Sequence, residues 1–294
     1  MSRPIPVLQE PRPHLPPWFK IRLREGPGYR EIRRLTKELN LHTICEEARC
    51  PNVWECWNSR TATFLILGDI CTRRCHYCAV TTGRPLPLDE AEPGRVALAV
   101  KALGLRHAVL TSVNRDELPD GGARIFAETI RAVRRELPAC TVEVLIPDFL
   151  GDEAALETVL AAQPDILNHN IETVPRLFAS VRPQGRYPLS LALLQAASHR
   201  GAVTKSGLMV GLGETREEVL AVLQDLRGAG CSIVSIGQYL QPTTAHWPVR
   251  RFYKPEEFRL IKEEGLALGF RHVESGPLVR SSYHAEQQAI PDHA

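Results

Sequence analysis

Residues 61–78 read TATFLILGDICTRRCHYC, and they join an apolar, β-branched segment directly to a loop with three cysteines. The apolar segment predicts a buried β-strand, because an unbroken apolar run is typical of strands that are covered on both faces. The cysteines follow at the carboxyl end of this strand, which is where ligands gather in parallel α/β folds. The stretch therefore predicts a parallel sheet with a metal or redox site at the carboxyl ends of its strands.

Strand and helix patterns alternate along the chain after this first strand. Five further apolar strands are predicted, starting at His107, Thr141, Asp165, Thr204 and Ser232. Helical patterns follow the six strands at Glu92–Leu103, Ala123–Glu136, Asp152–Ala162, Leu189–His199, Thr215–Arg227 and Pro255–Leu268. Such alternation predicts βαβ units, and six units form either a partial barrel or a doubly wound sheet, since a complete TIM barrel needs eight. No glycine-rich fingerprint follows the first strand, which argues against a dinucleotide-binding fold.

The composition excludes several classes of function. The chain has 294 residues and a formal net charge of only +2, so its overall field gives no argument for nucleic-acid binding. Charges or prolines interrupt every apolar run, which argues against a membrane-spanning segment. Residues 1–19 are rich in proline and lack an apolar signal segment. We therefore expect an irregular arm at this end and a cytoplasmic location.

The cysteines are unevenly distributed, since six of the eight lie between Cys45 and Cys78. In a reducing cytosol such clustering indicates metal ligation or redox chemistry, whereas a disulfide framework would require a secreted chain. Cys140 and Cys231 stand alone beside predicted strands, and we interpret both as small buried hydrophobic residues.

The segment before the first strand divides into two parts. Residues from Lys20 to Asn40 are predicted to be helical in part. Their basic side chains are Arg22, Arg24, Arg30, Arg33, Arg34 and Lys37. We interpret these as a solvated helix face, with a docking patch for an acidic partner as the alternative. Residues 41–60 are predicted to be a loop-like segment that carries three cysteines and two tryptophans.

The first triplet consists of Cys71, Cys75 and Cys78. A four-iron cluster usually takes four thiolates, so three local thiolates would leave one iron open to a small molecule with an amine and a carboxylate. Arg73 and Arg74 in the same loop could offset the negative charge of thiolates and cluster. The alternative is a structural zinc site completed by His76.

The second triplet consists of Cys45, Cys50 and Cys56. It also lacks an adjacent fourth cysteine, and a zinc site completed by His42 is the alternative to a cluster. A fourth cluster ligand would have to come from elsewhere. The segment GPLVRSSYHA offers Ser281, Ser282, Tyr283 and His284. A hydroxyl is a harder ligand than a thiolate, so its bond to iron would be easily lost.

At these residues the chain resembles the radical S-adenosylmethionine superfamily and, more closely, its lipoyl synthase family. The first triplet matches the superfamily motif, and the second, within EEARCPNVWECW, matches the family's auxiliary motif. The sequence RSSY at residues 280–283 matches the family's closing motif, and SVNRDELPDGGA, QYLQPT and GRP also resemble family segments. The resemblance extends from about Leu41 to Ala285. Ala79 departs from the pattern, since an acidic residue is expected after the third cysteine.

The resemblance implies a fold and two cofactors. It implies a partial (β/α)6 TIM-type barrel over residues 61–270, an extension over residues 1–60 with the auxiliary motif, and a closing segment over residues 271–294. It implies two [4Fe-4S] clusters and S-adenosylmethionine, which binds the open iron on Cys71, Cys75 and Cys78. The auxiliary cluster would bind Cys45, Cys50, Cys56 and Ser282, which we assign in preference to Ser281. The catalytic candidates are thus the first triplet and Ser282.

The resemblance also implies a reaction and its partners. Two sulfur atoms from the auxiliary cluster would enter a protein-bound octanoyl-lysine chain at C6 and C8 and give the lipoyl cofactor. These aliphatic C–H bonds have no acidic proton, so a cofactor must supply a radical to open them. The expected partners are octanoylated carrier proteins, namely lipoyl domains of 2-oxoacid dehydrogenases and the glycine cleavage H protein, a low-potential donor such as ferredoxin or flavodoxin, and an iron-sulfur carrier protein. The alternatives are another radical S-adenosylmethionine enzyme with an auxiliary cluster and a metal-bearing binding module without turnover.

Polar residues after three other strands are further candidates. Gly213 and Glu214 could contact S-adenosylmethionine or form a glycine turn before a helix. Asn168, Asn170 and Glu172 could contact the cofactor's ribose or amine, or they could be buried and satisfied by the protein. The loop residues Asn114, Arg115 and Asp116 could contact substrate or carrier protein, or they could stabilise their own loop.

Overall fold

A buried parallel sheet lies at the centre of the structure, with helices packed against it. The computed structural model describes residues 14–20 and 25–288. Residues 1–13, 21–24 and 289–294 lie outside the described residues. Most of the predicted irregular arm and the basic residues Arg22 and Arg24 therefore also lie outside them.

The sheet contains eight strands in the order β1-β2-β5-β6-β7-β8-β9-β10. The strands are β1 (His42–Thr43), β2 (Thr63–Ile66), β3 (Ile70–Cys71), β4 (Thr81–Thr82), β5 (His107–Ser112), β6 (Thr141–Leu145), β7 (Ile166–Asn168), β8 (Thr204–Val210), β9 (Ile233–Gln238) and β10 (His272–Gly276). Neighbouring strands pair in parallel except β1, which is antiparallel to β2, while β3 and β4 form a separate small sheet. Since β1 and β10 are the two edges, the sheet is an open, partial barrel, and the predicted fold class is confirmed.

The helices alternate with these strands as the sequence predicts. They are α1 (Pro27–Glu38), α2 (Ile44–Glu47), α3 (Val53–Asn58), α4 (Glu92–Leu103), α5 (Ala123–Glu136), α6 (Glu153–Leu160), α7 (Pro175–Val181), α8 (Tyr187–His199), α9 (Arg216–Gly228), α10 (Pro255–Ala267) and α11 (Ala285–Gln288), with 3-10 turns at Pro17–Phe19 and Phe149–Gly151. All six predicted βα units are present. The sequence analysis missed β10, whose polar sequence HVESG lacks an apolar run, and the short helix α7.

The prediction of a loop-like segment over residues 41–60 is wrong. The Thr43 hydroxyl caps α2 by accepting the backbone N–H of Glu46 at 3.3 Å, and α3 carries both tryptophans. The Tyr29 ring of α1 stacks on Trp54, with 4.2 Å between ring centroids, and Trp57 is fully buried. This aromatic contact fixes α3, and therefore Cys56, against the rest of the fold.

The alternation of side chains along each strand creates the interior of the partial barrel. Successive strand residues point to opposite faces of the sheet. Phe64 and Leu110 pack in the apolar cluster beneath the helices, while their neighbours Leu65, Val109 and Thr111 line a central cavity. The parallel register places the carboxyl ends of β2 and of β5 to β10 on one side of the sheet.

The predicted division into residues 1–60, 61–270 and 271–294 stays a prediction. One contact joins its two outer segments, because the Asn52 side chain donates a hydrogen bond to the Leu278 carbonyl at 2.6 Å. Across residues 14–20 and 25–288, no helix has the length and apolar character needed to cross a membrane.

Candidate active site

A central cavity of about 510 Å³ opens at the carboxyl ends of the strands and reaches both cysteine triplets. The cysteines that line it are Cys45, Cys50, Cys71, Cys75 and Cys78. The predicted residues Asn168, Asn170, Glu172, Ser281 and Ser282 also line it, as does Asn114. Cys56 lines a small adjoining cavity together with Cys45 and Cys50. The fold therefore brings two thiol triplets from different segments to one shared space.

The first triplet lies in the loop that follows β2. The Cys71 sulfur accepts the backbone N–H groups of Arg73 at 3.4 Å and Asn114 at 3.3 Å. Burial, and the proximity of Cys75 and Cys71, raise the pKa of the Cys78 thiol to about 12. A thiol must lose its proton to bind iron, so cluster binding at this site releases protons.

Arg182 is the arginine that lies beside the first triplet, and the sequence analysis did not identify it. Burial raises the pKa of Cys75 to about 11, and Arg182 opposes that increase. The Arg182 side chain is almost buried and donates a hydrogen bond to the Asn170 carbonyl at 3.1 Å. The negative charge of Glu172 also raises the pKa of the Cys75 thiol. Arg182 Nη2 lies 3.9 Å from Asp148 Oδ2, a longer contact than either ion pair of Arg73, and Arg182 contributes positive charge beside the first triplet.

The geometry does not favour the role suggested for Arg73, because two carboxylates already pair with its guanidinium. It pairs with Asp116 at 2.7 Å and with Asp148 at 2.6 Å. These contacts tie the cysteine loop to the loops after β5 and β6. Arg115 binds the Leu67 carbonyl at 2.7 Å. For Arg115 and Asp116 the geometry thus favours the alternative in which they stabilise loops.

The geometry does not favour either zinc alternative. The His76 ring nitrogen Nδ1 lies 2.6 Å from the Ser180 carbonyl oxygen, and His42 Nδ1 lies 3.7 Å from a Glu47 carboxylate oxygen. Each contact involves one ring nitrogen and leaves Nε2 to bind a metal, so these contacts do not decide the question. Within residues 14–20 and 25–288, no three His, Cys, Asp or Glu side chains gather around a point that could hold a single metal ion. A four-iron cluster binds each thiolate at a separate iron, so it does not need three sulfurs around one point.

The second triplet is assembled from α2, the following turn and α3. Burial raises the pKa of the Cys56 thiol well above its usual value, and the nearby Cys45 and Cys50 add to that increase. The three thiols are therefore close neighbours in a poorly solvated site. Ser282 lines the same small cavity. Arg280 lines both this small cavity and the central cavity.

The two neighbouring serines face different surroundings. The Ser281 hydroxyl accepts a hydrogen bond from Asn170 Nδ2 at 2.8 Å and donates one to Asn170 Oδ1 at 3.1 Å. Ser281 lines only the central cavity, whereas Ser282 also lines the small cavity with the second triplet. No protein group in the described part of the chain forms a hydrogen bond with the Ser282 hydroxyl. This geometry favours Ser282 as the fourth ligand.

Asn168 is the most deeply buried of the predicted cofactor contacts that line the central cavity. Its side chain is fully buried, and its Nδ2 donates to the Glu143 carboxylate at 3.0 Å. In the described part of the chain its Oδ1 has no hydrogen-bond partner, and the same is true of the buried Ser235 hydroxyl; both residues line the central cavity. Buried polar atoms are normally hydrogen-bonded, but these two oxygens are almost inaccessible, so they do not by themselves mark a ligand position.

Gly213 and Glu214 do not line the central cavity. The buried Glu214 carboxylate accepts the backbone N–H groups of Gly211, Leu212 and Gly213 at 2.6, 2.9 and 3.1 Å. Gly213 has a φ of +116°, which is unfavourable for residues with a Cβ. The geometry here favours the turn before α9 over a direct cofactor contact.

Glu143, which lines the central cavity, belongs to a buried ion pair that the sequence analysis missed. Lys205 Nζ lies 2.9 Å from Glu143 Oε1, and both side chains are fully buried. Burial raises the pKa of the Glu143 carboxyl, but Lys205 and His107 outweigh this effect and hold it below its usual value. The charged residues inside the otherwise apolar strands TVEVL and TKSGLMV were the available signal.

Lys205→Met is expected to destabilise the protein by about 3–5 kcal/mol, because it leaves Glu143 buried without a counter-charge. The double variant Lys205→Met/Glu143→Gln should recover most of this loss, since it removes both charges and keeps a side-chain oxygen for Asn168 Nδ2. Urea unfolding of the two variants and the wild type measures the effect. Equal stability of Lys205→Met and wild type would contradict a structural role for the pair.

Two family models match the chain. The radical S-adenosylmethionine superfamily matches residues 65–226, and the N-terminal domain of lipoyl synthase matches residues 5–50. A lipoyl synthase of Rubrobacter xylanophilus is 61% identical over 287 residues, which cover 97% of this chain and 89% of the relative. A lipoyl synthase of Chloroflexus aurantiacus is 59% identical over 276 residues, with 93% and 90% covered.

Solved structures with the same fold are more distant. Methylornithine synthase has a TM-score of 0.55 and 14% identity, with 86% of this chain and 82% of that chain covered. Streptococcus suis SuiB bound to its precursor peptide SuiA has a TM-score of 0.57 and 12% identity, with 90% and 56% covered. At these identities the likeness concerns the fold alone.

Proposed function

The chain belongs to the lipoyl synthase family of the radical S-adenosylmethionine superfamily, and we propose that it inserts two sulfur atoms into a protein-bound octanoyl chain at C6 and C8. The observation that carries this proposal is the single cavity that reaches both thiol triplets. A reaction that opens a C–H bond at one centre and takes sulfur from another needs both centres next to one substrate. Positioning of this kind is a large part of what an enzyme contributes.

The residues present fit two iron-sulfur clusters. Each triplet offers soft thiolate ligands, which suit iron-sulfur chemistry. The superfamily is defined by one [4Fe-4S] cluster and S-adenosylmethionine, and we assign these to Cys71, Cys75 and Cys78. We assign a second cluster to Cys45, Cys50, Cys56 and Ser282. When bound, the first cluster would reduce S-adenosylmethionine to release a radical, and the second would supply sulfur.

The protein's own side chains would orient S-adenosylmethionine in the central cavity. Arg182 lies beside Cys75 and offers positive charge near the open iron position. Asn168 and Ser235 also line this cavity, but their side-chain oxygens are buried, so a contact with them would require their side chains to rearrange. Asn170 and Glu172 line the same cavity. Their amide and carboxylate groups can bind hydroxyl and amine groups of S-adenosylmethionine.

The remaining lining of the cavity suits an aliphatic chain. Its apolar members include Val109, Leu145, Ile146, Leu208, Met209 and Leu240. Burial of each CH₂ group contributes about 0.8 kcal/mol, so an octanoyl chain would gain several kcal/mol here. Enclosure also keeps water and oxygen from a reactive carbon centre. The lysine-linked end would remain toward the mouth.

The lysine tether implies that the substrate is a carrier protein and not a free fatty acid. We propose octanoylated lipoyl domains of 2-oxoacid dehydrogenases and the glycine cleavage H protein as carriers. The first cluster would take electrons from a low-potential donor such as ferredoxin or flavodoxin. Consumption of the second cluster would require an iron-sulfur carrier protein to rebuild it.

Ser282→Ala is expected to keep much of the second cluster on its three thiolates but to lose sulfur insertion, because release of the fourth iron is no longer controlled. Ser282→Cys should give a more durable cluster that also turns over poorly, since thiolate binds this iron more firmly than a hydroxyl does. Iron counting and lipoyl product yield measure both effects.

Ser281→Ala is the matched control, because it removes only the hydrogen bonds to Asn170. It should keep substantial product yield. An inactive Ser281→Ala with a normal Ser282→Ala would mean that the neighbouring serine is the ligand. Normal turnover of both variants would remove the hydroxyl-ligand proposal.

Product analysis with an octanoyl-lysine peptide tests the proposed function. Reconstituted enzyme, reductant and S-adenosylmethionine should give the lipoyl peptide. A different sulfur-bearing product from another apolar chain would instead indicate a related radical enzyme. Zinc without acid-labile sulfide in the purified protein would indicate a binding module.

A further inference from the structure

Arg280 has an unusual environment for an arginine in this protein. It lines both the central cavity and the small cavity of the second triplet. It is partly buried, yet within residues 14–20 and 25–288 no carboxylate forms an ion pair with it. Arg73 differs, because Asp116 and Asp148 occupy its guanidinium. Arg280 therefore presents an unneutralised positive charge at the boundary between the two cavities.

The Arg280 guanidinium also has unused hydrogen-bond donors. Its Nη1 donates to the Val279 carbonyl at 2.7 Å and to the Gln238 carbonyl at 3.3 Å. A guanidinium carries five N–H groups. The remaining three, on Nε and Nη2, contact no acceptor in the described part of the chain. These are the donors available to a ligand in either cavity.

The backbone holds this side chain in a fixed place. A Cβ on Gly237 would lie 2.1 Å from the Val279 carbonyl oxygen and 3.4 Å from Arg280 Nη1, so the close approach of the two segments requires glycine there. The hydrogen bond from Asn52 to Leu278 ties the same segment to the turn between Cys50 and α3. Arg280 is thus positioned relative to both the second triplet and the sheet.

Cys50 lies near Arg280, because both residues line the central cavity and also the small cavity of the second triplet. A cluster held by several thiolates is anionic, and its stability and reduction potential depend on nearby charge and on hydrogen bonds to sulfur. An unpaired, donor-rich cation beside one ligand is suited to this task.

We propose that Arg280 is a positioning residue for the second cluster, donating hydrogen bonds to sulfur on the side that faces the central cavity and offsetting the cluster's negative charge. The inference rests on the proposed function, because it needs a cluster on Cys45, Cys50 and Cys56. It assigns Arg280 and Arg182 parallel tasks at different clusters. Arg280 serves the centre that supplies sulfur, and Arg182 serves the centre that binds S-adenosylmethionine.

The test is a potentiometric titration of the reconstituted full-length protein, followed by electron paramagnetic resonance. A Cys71→Ala sample identifies the signal of the second cluster. Arg280→Gln should shift the second cluster's potential to a more negative value, because a cation that stabilises the reduced state is lost. Arg182→Gln, the matched control, should shift only the first cluster. An unchanged second potential in Arg280→Gln would overturn the proposal.

Arg280→Lys covers the case in which Arg280→Gln fails to fold or to retain iron. Lysine keeps the charge but not the planar fork of donors, so its potential should stay nearer wild type while its resonance spectrum changes. A wild-type potential and an identical spectrum would contradict the role of the hydrogen bonds. Wild-type protein with only about four irons per chain would instead refute the second cluster itself.

Discussion

Alanine at Cys71, Cys75 or Cys78 is expected to abolish the reductive cleavage of S-adenosylmethionine. Each residue supplies one of the three thiolates that hold the first cluster, and two thiolates cannot hold the redox-active centre. The second triplet lies on other segments, so its cluster should survive in these variants. The measurement is 5′-deoxyadenosine yield under reducing, oxygen-free conditions. It should fall to the level of the protein-free control.

Cys140→Ala is the matched control for this loss. Cys140 is also a free thiol, but it is buried and lies outside both triplets. The same chemical change there should leave 5′-deoxyadenosine formation intact. Wild-type yield from any of the three variants of the first triplet would defeat the assignment of that cluster.

Alanine at Cys45, Cys50 or Cys56 is expected to separate the two halves of the reaction. Cleavage of S-adenosylmethionine should continue without coupling, because the first triplet and Arg182 are unchanged. Lipoyl product should fall to background, because the variant has lost the centre that supplies sulfur. Both products are measured in one assay with an octanoyl-lysine peptide.

The ratio of the two products decides the outcome. A loss of both 5′-deoxyadenosine and lipoyl product would show that the variants have lost more than the second cluster. Lipoyl product at wild-type yield from any of them would show that these cysteines do not hold the sulfur source.

The sequence was sufficient to predict the six βα units and the two triplets, because both leave local signals. Apolar runs such as the one before Cys71 identify buried strands. The spacing of cysteines identifies candidate ligands without any knowledge of the fold. Strand β10 left no such signal, since its burial depends on pairing with β9 and not on its own composition.

The interactions between distant segments could not be predicted. Arg73 appeared available for charge compensation until the structure placed Asp116 and Asp148 around it. Arg182 and Arg280 take up that task, although only their position in the fold distinguishes them from surface arginines. The turn role of Glu214 likewise depends on backbone N–H groups whose direction the sequence does not specify.

Sulfur-34 labelling of the reconstituted protein tests the central claim most directly. The protein is reconstituted anaerobically with labelled sulfide, freed of excess sulfide, counted for iron and sulfide, and allowed one turnover on an octanoyl-lysine peptide. The account predicts about eight irons per chain and a lipoyl peptide in which both sulfur atoms carry the label. About four irons per chain, or a product with unlabelled sulfur, would contradict it.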